Sequence, residues 1–138
     1  MIISFILSLL SLLPSIINTA VLEVSVSNLE NSNAPIYFAV YQDDKFFLKT
    51  DKMYKGLRVS PKGSTQPKVK ISVPAGEYAL AVYQDINENG KLDLNFLGIP
   101  TEPYGFSQNF KPRLSAPKFS DIKVYVKSKT SIAIKLLD

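Results

Sequence analysis

The sequence predicts an all-β fold, an antiparallel β-sandwich of the immunoglobulin-like or transthyretin-like kind. Apolar side chains recur at every second position in most of the chain after residue 21, which is the period of a strand with one buried face. Nine Pro and six Gly residues are scattered among these segments and predict many turns. A length of 138 residues, 46% of them hydrophobic, suits one domain with its own core.

The first 20 residues predict a signal peptide. They are rich in Ile, Leu and Ser, and no charged side chain occurs before Glu23. We place the cleavage after Ala20, although Asn18 stands where a small residue is usual and the segment has no Lys or Arg. An uncleaved membrane anchor at residues 1–22 is therefore the alternative. Both interpretations deliver a single sandwich domain, residues 21–138, outside the cytoplasm, to the periplasm, the cell envelope or the medium.

Six strands follow in order from the alternation. Their predicted extents are residues 21–28, 36–42, 68–73, 77–83, 122–127 and 132–137. The predicted inward faces carry Leu22, Val24 and Val26; Ile36, Phe38 and Val40; Val69, Ile71 and Val73; Tyr78, Leu80 and Val82; Ile122, Val124 and Val126; and Ile132, Ile134 and Leu136. Since the other faces are more polar, we expect antiparallel sheets with one solvated side each, stacked face to face. Residues 46–57 fit either a short edge strand or a helical turn that crosses between the sheets.

One short repeat occurs inside the chain. Residues 39–43 read Ala-Val-Tyr-Gln-Asp, and residues 81–85 repeat the same five letters. Two equivalent strands would bring Asp43 and Asp85 to the same end of the sandwich. The alternative is that both copies are simply favourable strand sequence.

Charge and composition exclude several classes of function. The net charge is +4, and the 16 Lys and Arg residues are spread without a cluster, so we expect no nucleic-acid interface. Cys and His are both absent, which excludes disulfides and the usual ligands of zinc, copper and haem. Their absence also removes the common nucleophile and base pairs, and we predict that the protein is not an enzyme.

The segment with the clearest chemistry is residues 85–93, which predicts a calcium site. Side-chain oxygens stand at positions 1, 3, 5 and 9 of this loop, and Gly90 stands at position 6, as in the first half of an EF-hand loop. The predicted ligands are Asp85, Asn87, Asn89, the carbonyl of Lys91, Asp93 and Glu102. Oxygens are the ligands that calcium prefers, and extracellular sites of this kind bind it with dissociation constants of about 10⁻⁴–10⁻³ M.

The calcium pattern is incomplete, and two alternatives stay open. Position 12 is Phe96 rather than Glu, so a further carboxylate would come from Glu102, or from Asp43 or Asp44 if the repeated strands are neighbours. The loop also fits a metal-free hairpin, because Asn-Gly is the favoured pair of a type I′ turn. A third interpretation is a small carbohydrate-active enzyme that uses Asp and Glu carboxylates.

Several motifs occur in an order that resembles a known family. The motifs are Pro74-Ala75-Gly76-Glu77-Tyr78-Ala79, the loop at residues 85–93, Gly98-Ile99-Pro100, Glu102, Tyr104-Gly105-Phe106-Ser107 and Ala116-Pro117-Lys118-Phe119. Together they resemble the exported bacterial proteins called domain of unknown function 2141. The resemblance implies export and a sandwich of immunoglobulin or transthyretin type, and it implies no activity. Gln84 and Pro103 depart from the family, which often has His and Gly there.

These observations together predict an exported, non-catalytic module of unknown specific role. We expect its loops to bind a protein or polysaccharide partner outside the cytoplasm, with calcium stabilising one end. Contact with a membrane is expected only if residues 1–22 remain as an anchor. Tyr104 and Phe106 either form a surface for such a partner or plug the end of the sandwich, and the plug is the interpretation we favour.

Overall fold

The computed structural model describes residues 16–138 and has eight strands in two sheets. A four-residue helix and two short 3₁₀ turns, at Thr50–Lys52 and Ser107–Asn109, complete the described part. The elements are β1 (Thr19–Ser27), β2 (Ile36–Tyr41), β3 (Lys55–Val59), β4 (Lys68–Pro74), β5 (Gly76–Gln84), β6 (Tyr104–Phe106), α1 (Phe119–Ile122), β7 (Val124–Val126) and β8 (Lys129–Lys135). The all-β sandwich prediction is confirmed.

The two sheets differ in size. The smaller sheet has the order β4-β1-β8, and the larger has the order β3-β2-β5-β6, with β7 pairing with the first residues of β5. Five of the six strand pairings are antiparallel, as the sequence predicts, but β1 and β8 run parallel. A parallel pair needs a long crossover, and here the whole chain between β1 and β8 supplies it.

The core lies between the sheets and contains the predicted inward faces. Leu22, Val24 and Val26 of β1 are fully buried, and they meet Ile36, Phe38 and Val40 of β2 in the same cluster. Val69 of β4 and Ile132 of β8 are only partly buried. Burial of one face per strand removes apolar surface from water and so holds the sheets together.

The predicted polar outer face is wrong for the larger sheet. Ala79 of β5 and Tyr41 of β2 point away from the core, yet both are buried in a second apolar cluster with Phe106, Phe119 and Ile122. Ile122, predicted to be an inward-facing strand residue, is instead the last residue of α1 and lies in this second cluster. Strands β2 and β5 have apolar side chains on both faces. The helix and the Ser107–Asn109 turn cover those on one half of the outer face and so remove them from water.

Residues 46–57, which fitted a strand or a helical turn, contain both. A 3₁₀ turn at Thr50–Lys52 leads into the first residues of β3, which pairs with β2 at the edge of the larger sheet. The segment stays within one sheet, so the predicted crossing between sheets is wrong.

The repeated pentapeptides do not share an end of the sandwich. Strands β2 and β5 are neighbours, but they are antiparallel, and Ile36 pairs with Gln84 while Tyr41 pairs with Ala79. Asp43 therefore lies at the opposite end of the sheet from Asp85, where its Oδ1 accepts a hydrogen bond from the backbone N–H of Phe46 (2.9 Å). Neither Asp43 nor Asp44 can complete a site at residues 85–93.

The two sheets are joined along one side at β6. The backbone N–H of Tyr104 donates to the carbonyl of Leu137 (3.0 Å), and the N–H of Leu137 donates to the carbonyl of Tyr104 (2.6 Å). Gly105 permits this approach, since a Cβ there would lie 2.8 Å from Cγ2 of Ile134 and 3.2 Å from the carbonyl oxygen of Lys135. Tyr104 and Gly105 thus join the two sheets along this side of the sandwich.

The predicted signal peptide lies mostly outside the described residues. Its last residues are described, and β1 begins at Thr19, where Thr19 pairs with Pro74 and the buried Ala20 pairs with Val73. A cleavage after Ala20 would remove these two residues from β1. Among residues 16–138, no helix has the length and apolar character needed to span a bilayer.

Candidate functional site

The loop at residues 85–93 begins with a buried carboxylate. Asp85 follows β5 and is fully buried. Its Oδ1 accepts from the backbone N–H of Asn89 (3.2 Å), and its Oδ2 accepts from the N–H of Gly90 (2.8 Å). A buried carboxylate is stable only when such donors surround it, so Asp85 curls the loop back onto the end of β5.

Glu102 holds the two ends of the same loop. Its side chain is nearly buried, with Oε1 accepting from the N–H of Ile86 (2.9 Å) and Oε2 accepting from the N–H of Asp93 (3.0 Å). One carboxylate therefore clamps both the entrance and the exit of the loop. The structure brings Glu102, a predicted calcium ligand, to this loop, where its backbone bonds give it a positioning role.

Three further predicted ligands meet on the solvent side of the loop. Asn87 Nδ2 donates to Asp93 Oδ2 (2.7 Å), and Asn89 Nδ2 donates to Asp93 Oδ1 (2.8 Å). The hydrogen bonds from Asn89 and Asn87, with the nearby charge of Lys91, hold the pKa of Asp93 below its usual value. Asp93 therefore stays charged over a wide pH range.

The structure brings Asp85, Asn87, Asn89 and Asp93 together in the loop and Glu102 beside it, with their side chains hydrogen-bonded to groups of the protein. Within residues 16–138, no three carboxylates gather closely enough to bind a metal. Asn87 and Asn89 present amide nitrogens to Asp93, and each must turn to offer its oxygen to calcium. The fit to calcium is thus partial, with Gly90 in the left-handed conformation that the tight loop needs (φ 79°).

The metal-free hairpin prediction also needs correction. A type I′ turn at Asn89-Gly90 requires positive φ at both residues, but here Glu88 and Gly90 have it (56° and 79°). The segment is instead a series of short turns, because Asn87 Oδ1 accepts from the N–H of Asn89 and Asn89 Oδ1 accepts from that of Lys91.

Gln84, where the resembled family often has His, is a structural residue in this chain. It is fully buried at the end of β5, and its Oε1 accepts from the backbone N–H groups of Glu30 (2.9 Å) and Asn31 (3.4 Å). Its Nε2 donates to the carbonyls of Asn31 and Ala34. One amide side chain therefore fixes the connection between β1 and β2 beside the loop.

A small hairpin at residues 93–101 extends from the loop. The backbone N–H of Thr101 donates to the carbonyl of Asp93 (2.9 Å), and Asn95 Oδ1 caps the turn by accepting from Leu97 and Ile99. The hairpin exposes large apolar side chains, with Phe96 95% and Leu97 68% exposed. Apolar side chains held outward by an ordered turn make the hairpin a candidate interaction surface.

The hairpin forms one wall of a groove on the outer face of the larger sheet. The groove has a volume of about 1210 Å³, above the usual range for small-molecule sites of about 300–1,000 Å³. Its floor comes from β2, β3, β5 and β6, and residues 112–116 form another wall. Gly90, Lys91 and Leu92 also line it, so the predicted calcium loop and the groove are one continuous structure.

A row of aromatic residues crosses the groove floor. Tyr37 pairs with Arg58 on one side and with Tyr83 on the other, and Tyr83 pairs with Tyr104. The Tyr37 and Tyr83 rings stack with centroids 5.1 Å apart and planes 5° from parallel. Burial, with the nearby carboxylate of Asp85, raises the pKa of Tyr83 to about 12.

Sequence reasoning missed this groove. Its floor residues come from four strands and its walls from two loops, so no single segment carries the pattern. One signal was available, because Tyr37, Ala39 and Tyr41 on β2 face Tyr83, Ala81 and Ala79 on β5 when the two strands are aligned antiparallel. Phe106, predicted as part of an end plug, is buried instead in the second cluster on the outer face of the larger sheet. Tyr104 packs against that cluster and joins the groove row.

A protein-family model matches most of the chain. The model described as "Uncharacterized protein conserved in bacteria" (DUF2141) matches residues 24–133. The chain belongs to the DUF2141 family. The matched residues begin within β1 and end within β8, so in this chain they include strands of both sheets and the loop at residues 85–93. No curated protein sequence matches the chain.

Proposed function

We propose that this DUF2141 protein is an exported, non-catalytic module that binds an envelope ligand in the groove of its larger sheet. The observation that carries the proposal is the open groove itself, about 1210 Å³ in volume and bounded by exposed apolar side chains. Leu94, Leu97 and Ile99 are 55%, 68% and 51% exposed along one wall. An ordered apolar cleft on a small domain is the default place for a ligand.

The arrangement of the carboxylates supports a non-catalytic role. A glycosidase needs two free carboxyl groups that face each other across a cleft. Here both oxygens of Asp85 and both oxygens of Glu102 accept backbone hydrogen bonds. They position the loop, and the chain has no Cys or His to supply other chemistry.

The binding proposal is tested with a neutral apolar dye such as Nile red. We expect one dye to bind the folded protein, and Ala81→Leu or Ala39→Leu to weaken binding about tenfold by filling the groove floor. Ala133→Leu is the matched control, because Ala133 is exposed on β8 of the other sheet. Circular dichroism establishes that each variant is folded. No dye binding, or equal binding by all four proteins, rejects the groove as the functional site.

We also propose that calcium binds weakly at residues 85–93 and orders the adjoining groove wall. Asp85, Asn87, Asn89, the Lys91 carbonyl and Asp93 lie in one tight loop, and Glu102 closes it, which supports this role. Millimolar calcium should raise the melting temperature of the wild type and of Asp44→Asn, but not of Asp93→Asn. An unchanged melting temperature of the wild type rejects the calcium proposal.

Export is proposed from the apolar segment at residues 1–20. Mass spectrometry of the native protein from fractionated cells tests it, because a processed chain lacks this segment. An intact N terminus in the membrane fraction supports the anchor at residues 1–22 instead. Recovery of the unprocessed protein from the cytoplasm rejects export.

A further inference from the structure

The groove has a trough of small side chains along its floor. Ala39 pairs with Gly56 on β3 and with Ala81 on β5, and Ala81 pairs in turn with Phe106 on β6. Gly56, Ala39 and Ala81 lie on three neighbouring strands about 4.8 Å apart, so the small residues extend over roughly 10 Å, with the larger Phe106 after them. Met53 closes one end, since its Sδ would lie 2.7 Å from a Cβ at Gly56. The trough is therefore narrow, straight and apolar.

The aromatic row beside the trough presents the edges of its rings. Tyr37 and Tyr83 stack face to face across their strands, and the Arg58 guanidinium lies 5.9 Å from the centre of the Tyr37 ring on the side of β3. The stack runs from strand to strand, parallel to the trough. A ligand in the trough consequently meets ring edges, whereas sugar binding depends on a free aromatic face. The geometry disfavours a polysaccharide and suits a flexible hydrocarbon chain.

The upper walls add aliphatic surface. Leu94, Leu97 and Ile99 of the hairpin line the groove, as does Leu114 from the opposite segment, and each is at least half exposed. Branched aliphatic side chains contact methylene groups well through dispersion and the hydrophobic effect. A chain lying in the trough would remove these side chains from water.

The charges that line the groove have one sign. Arg58, Lys91 and Arg113 contribute to its surface, and no Asp or Glu does so among the described residues. Glu88 forms an ion pair with Arg58 (3.8 Å), with both side chains more than half exposed, and solvent weakens such a pair. The charged side chains of the groove lining are thus all basic, while Glu88 beside Arg58 and the loop carboxylates near Tyr83 lie outside that lining.

From this combination we propose that the groove binds a single acyl chain with an anionic head group, a fatty-acid-like amphiphile. The chain lies across the strands over Ala39 and Ala81, between Met53 and Phe106, and its carboxylate pairs with Arg58 or Arg113. The inference rests on the proposed function, because it names the ligand of the same groove. Charge complementarity at the margin decides for an anionic head over a neutral one.

The test is displacement of Nile red from the purified protein, obtained by expressing the complete chain, at pH 8. Dodecanoate should displace the dye with an affinity at least about tenfold higher than that of dodecanol. The double variant Arg58→Gln/Arg113→Gln should lose about tenfold in dodecanoate affinity and keep its dodecanol affinity. Lys68→Gln/Lys127→Gln, which changes the net charge equally at distant exposed positions, should behave as the wild type.

Each other outcome overturns the inference in a recognisable way. If dodecanol and dodecanoate bind equally, the anionic head is wrong. If the dye binds but neither amphiphile displaces it, the acyl ligand is wrong while the proposed function stands. If the protein binds anionic phospholipid vesicles but no monomeric amphiphile, the groove wall is a membrane-contact surface instead. Absence of dye binding rejects the inference and the proposed function together.

Discussion

A single buried amide, that of Gln84, stabilises the region beside the candidate site. Its four hydrogen bonds reach the backbone of the connection between β1 and β2. Replacing Gln84 by Ala leaves those groups without partners and should lower the free energy of unfolding by about 1–3 kcal/mol. Urea denaturation measures the loss. The control is Gln42→Ala, the equivalent residue of the pentapeptide repeat, which is exposed and should change stability little. Equal losses at Gln84 and Gln42 would contradict the structural role.

The raised pKa of Tyr83 predicts how the stability of the fold depends on pH in alkaline solution. Its pKa is about 12 in the folded protein, against an ordinary value of 10.0. The folded state therefore holds the phenolic proton more tightly than the unfolded state, which stabilises the fold below pH 10. That stabilisation is lost as the pH rises from about 10 to about 12. Denaturant midpoints between pH 9 and 12 should fall more steeply for the wild type than for Tyr83→Phe, and parallel curves would contradict the assignment.

At the level of elements, β5 changes its edge partner part-way along its length. It pairs with β7 through residues 76–78 and with β6 through residues 81–83. Residues 79 and 80 lie between these two pairings. There the hydroxyl of Ser107 accepts from the backbone N–H of Leu80 (3.1 Å) and donates to the carbonyl of Ile122. One side chain thus replaces a ladder bond and ties α1 to the sheet.

Ser107→Ala should therefore destabilise the protein. It leaves a buried donor and a buried acceptor unpaired, and we expect a loss of about 1–3 kcal/mol. Hydrogen exchange at the Leu80 amide should accelerate more than exchange at amides of the smaller sheet. Ser131→Ala, at an exposed position of β8, is the control. Unchanged exchange at Leu80 would show that Ser107 does not bridge the gap.

The alternation of side chains predicted long strands well and short elements poorly. Strand β1 has nine residues, and its buried face of Leu22, Val24 and Val26 is visible in the sequence. Strand β6 has three residues, and pairing with β5 and Leu137 defines it more than its own pattern does. The parallel pairing of β1 with β8 was also hidden, since alternation sets a buried face but not a partner.

The candidate site was predicted where one segment contains it and missed where the fold assembles it. The spacing from Asp85 to Asp93 identified the loop. Asp85 binds backbone amides within that loop, whereas Glu102 reaches its two amides from outside it. The groove required the register between β2 and β5, which brings Ala39 beside Ala81. Strand register depends on packing across the whole core, so a local pattern does not contain it.

At the scale of the whole molecule, Gly105 controls how the two sheets close on each other. A Cβ at this position would meet Ile134 at 2.8 Å, so Gly105→Ala forces β6 away from β8 and should cost about 1–3 kcal/mol. Gly76→Ala is the matched control, because the nearest atom to its Cβ would be Tyr78 Cε2 at 3.8 Å. Thermal unfolding of both variants tests the difference. Equal melting temperatures would show that the closure tolerates a methyl group.

The parallel pairing of β1 with β8 has a consequence for how the polypeptide acquires its structure. Asn28 Nδ2 donates to the carbonyl of Leu136, 108 positions along the chain, so the smaller sheet depends on contacts of very high sequence separation. Folding that waits for such distant partners is slow. A nascent or truncated chain that ends before residue 129 leaves one edge of β1 bare. Its unpaired N–H and C=O groups would then recruit strands from other molecules, and aggregation would compete with maturation.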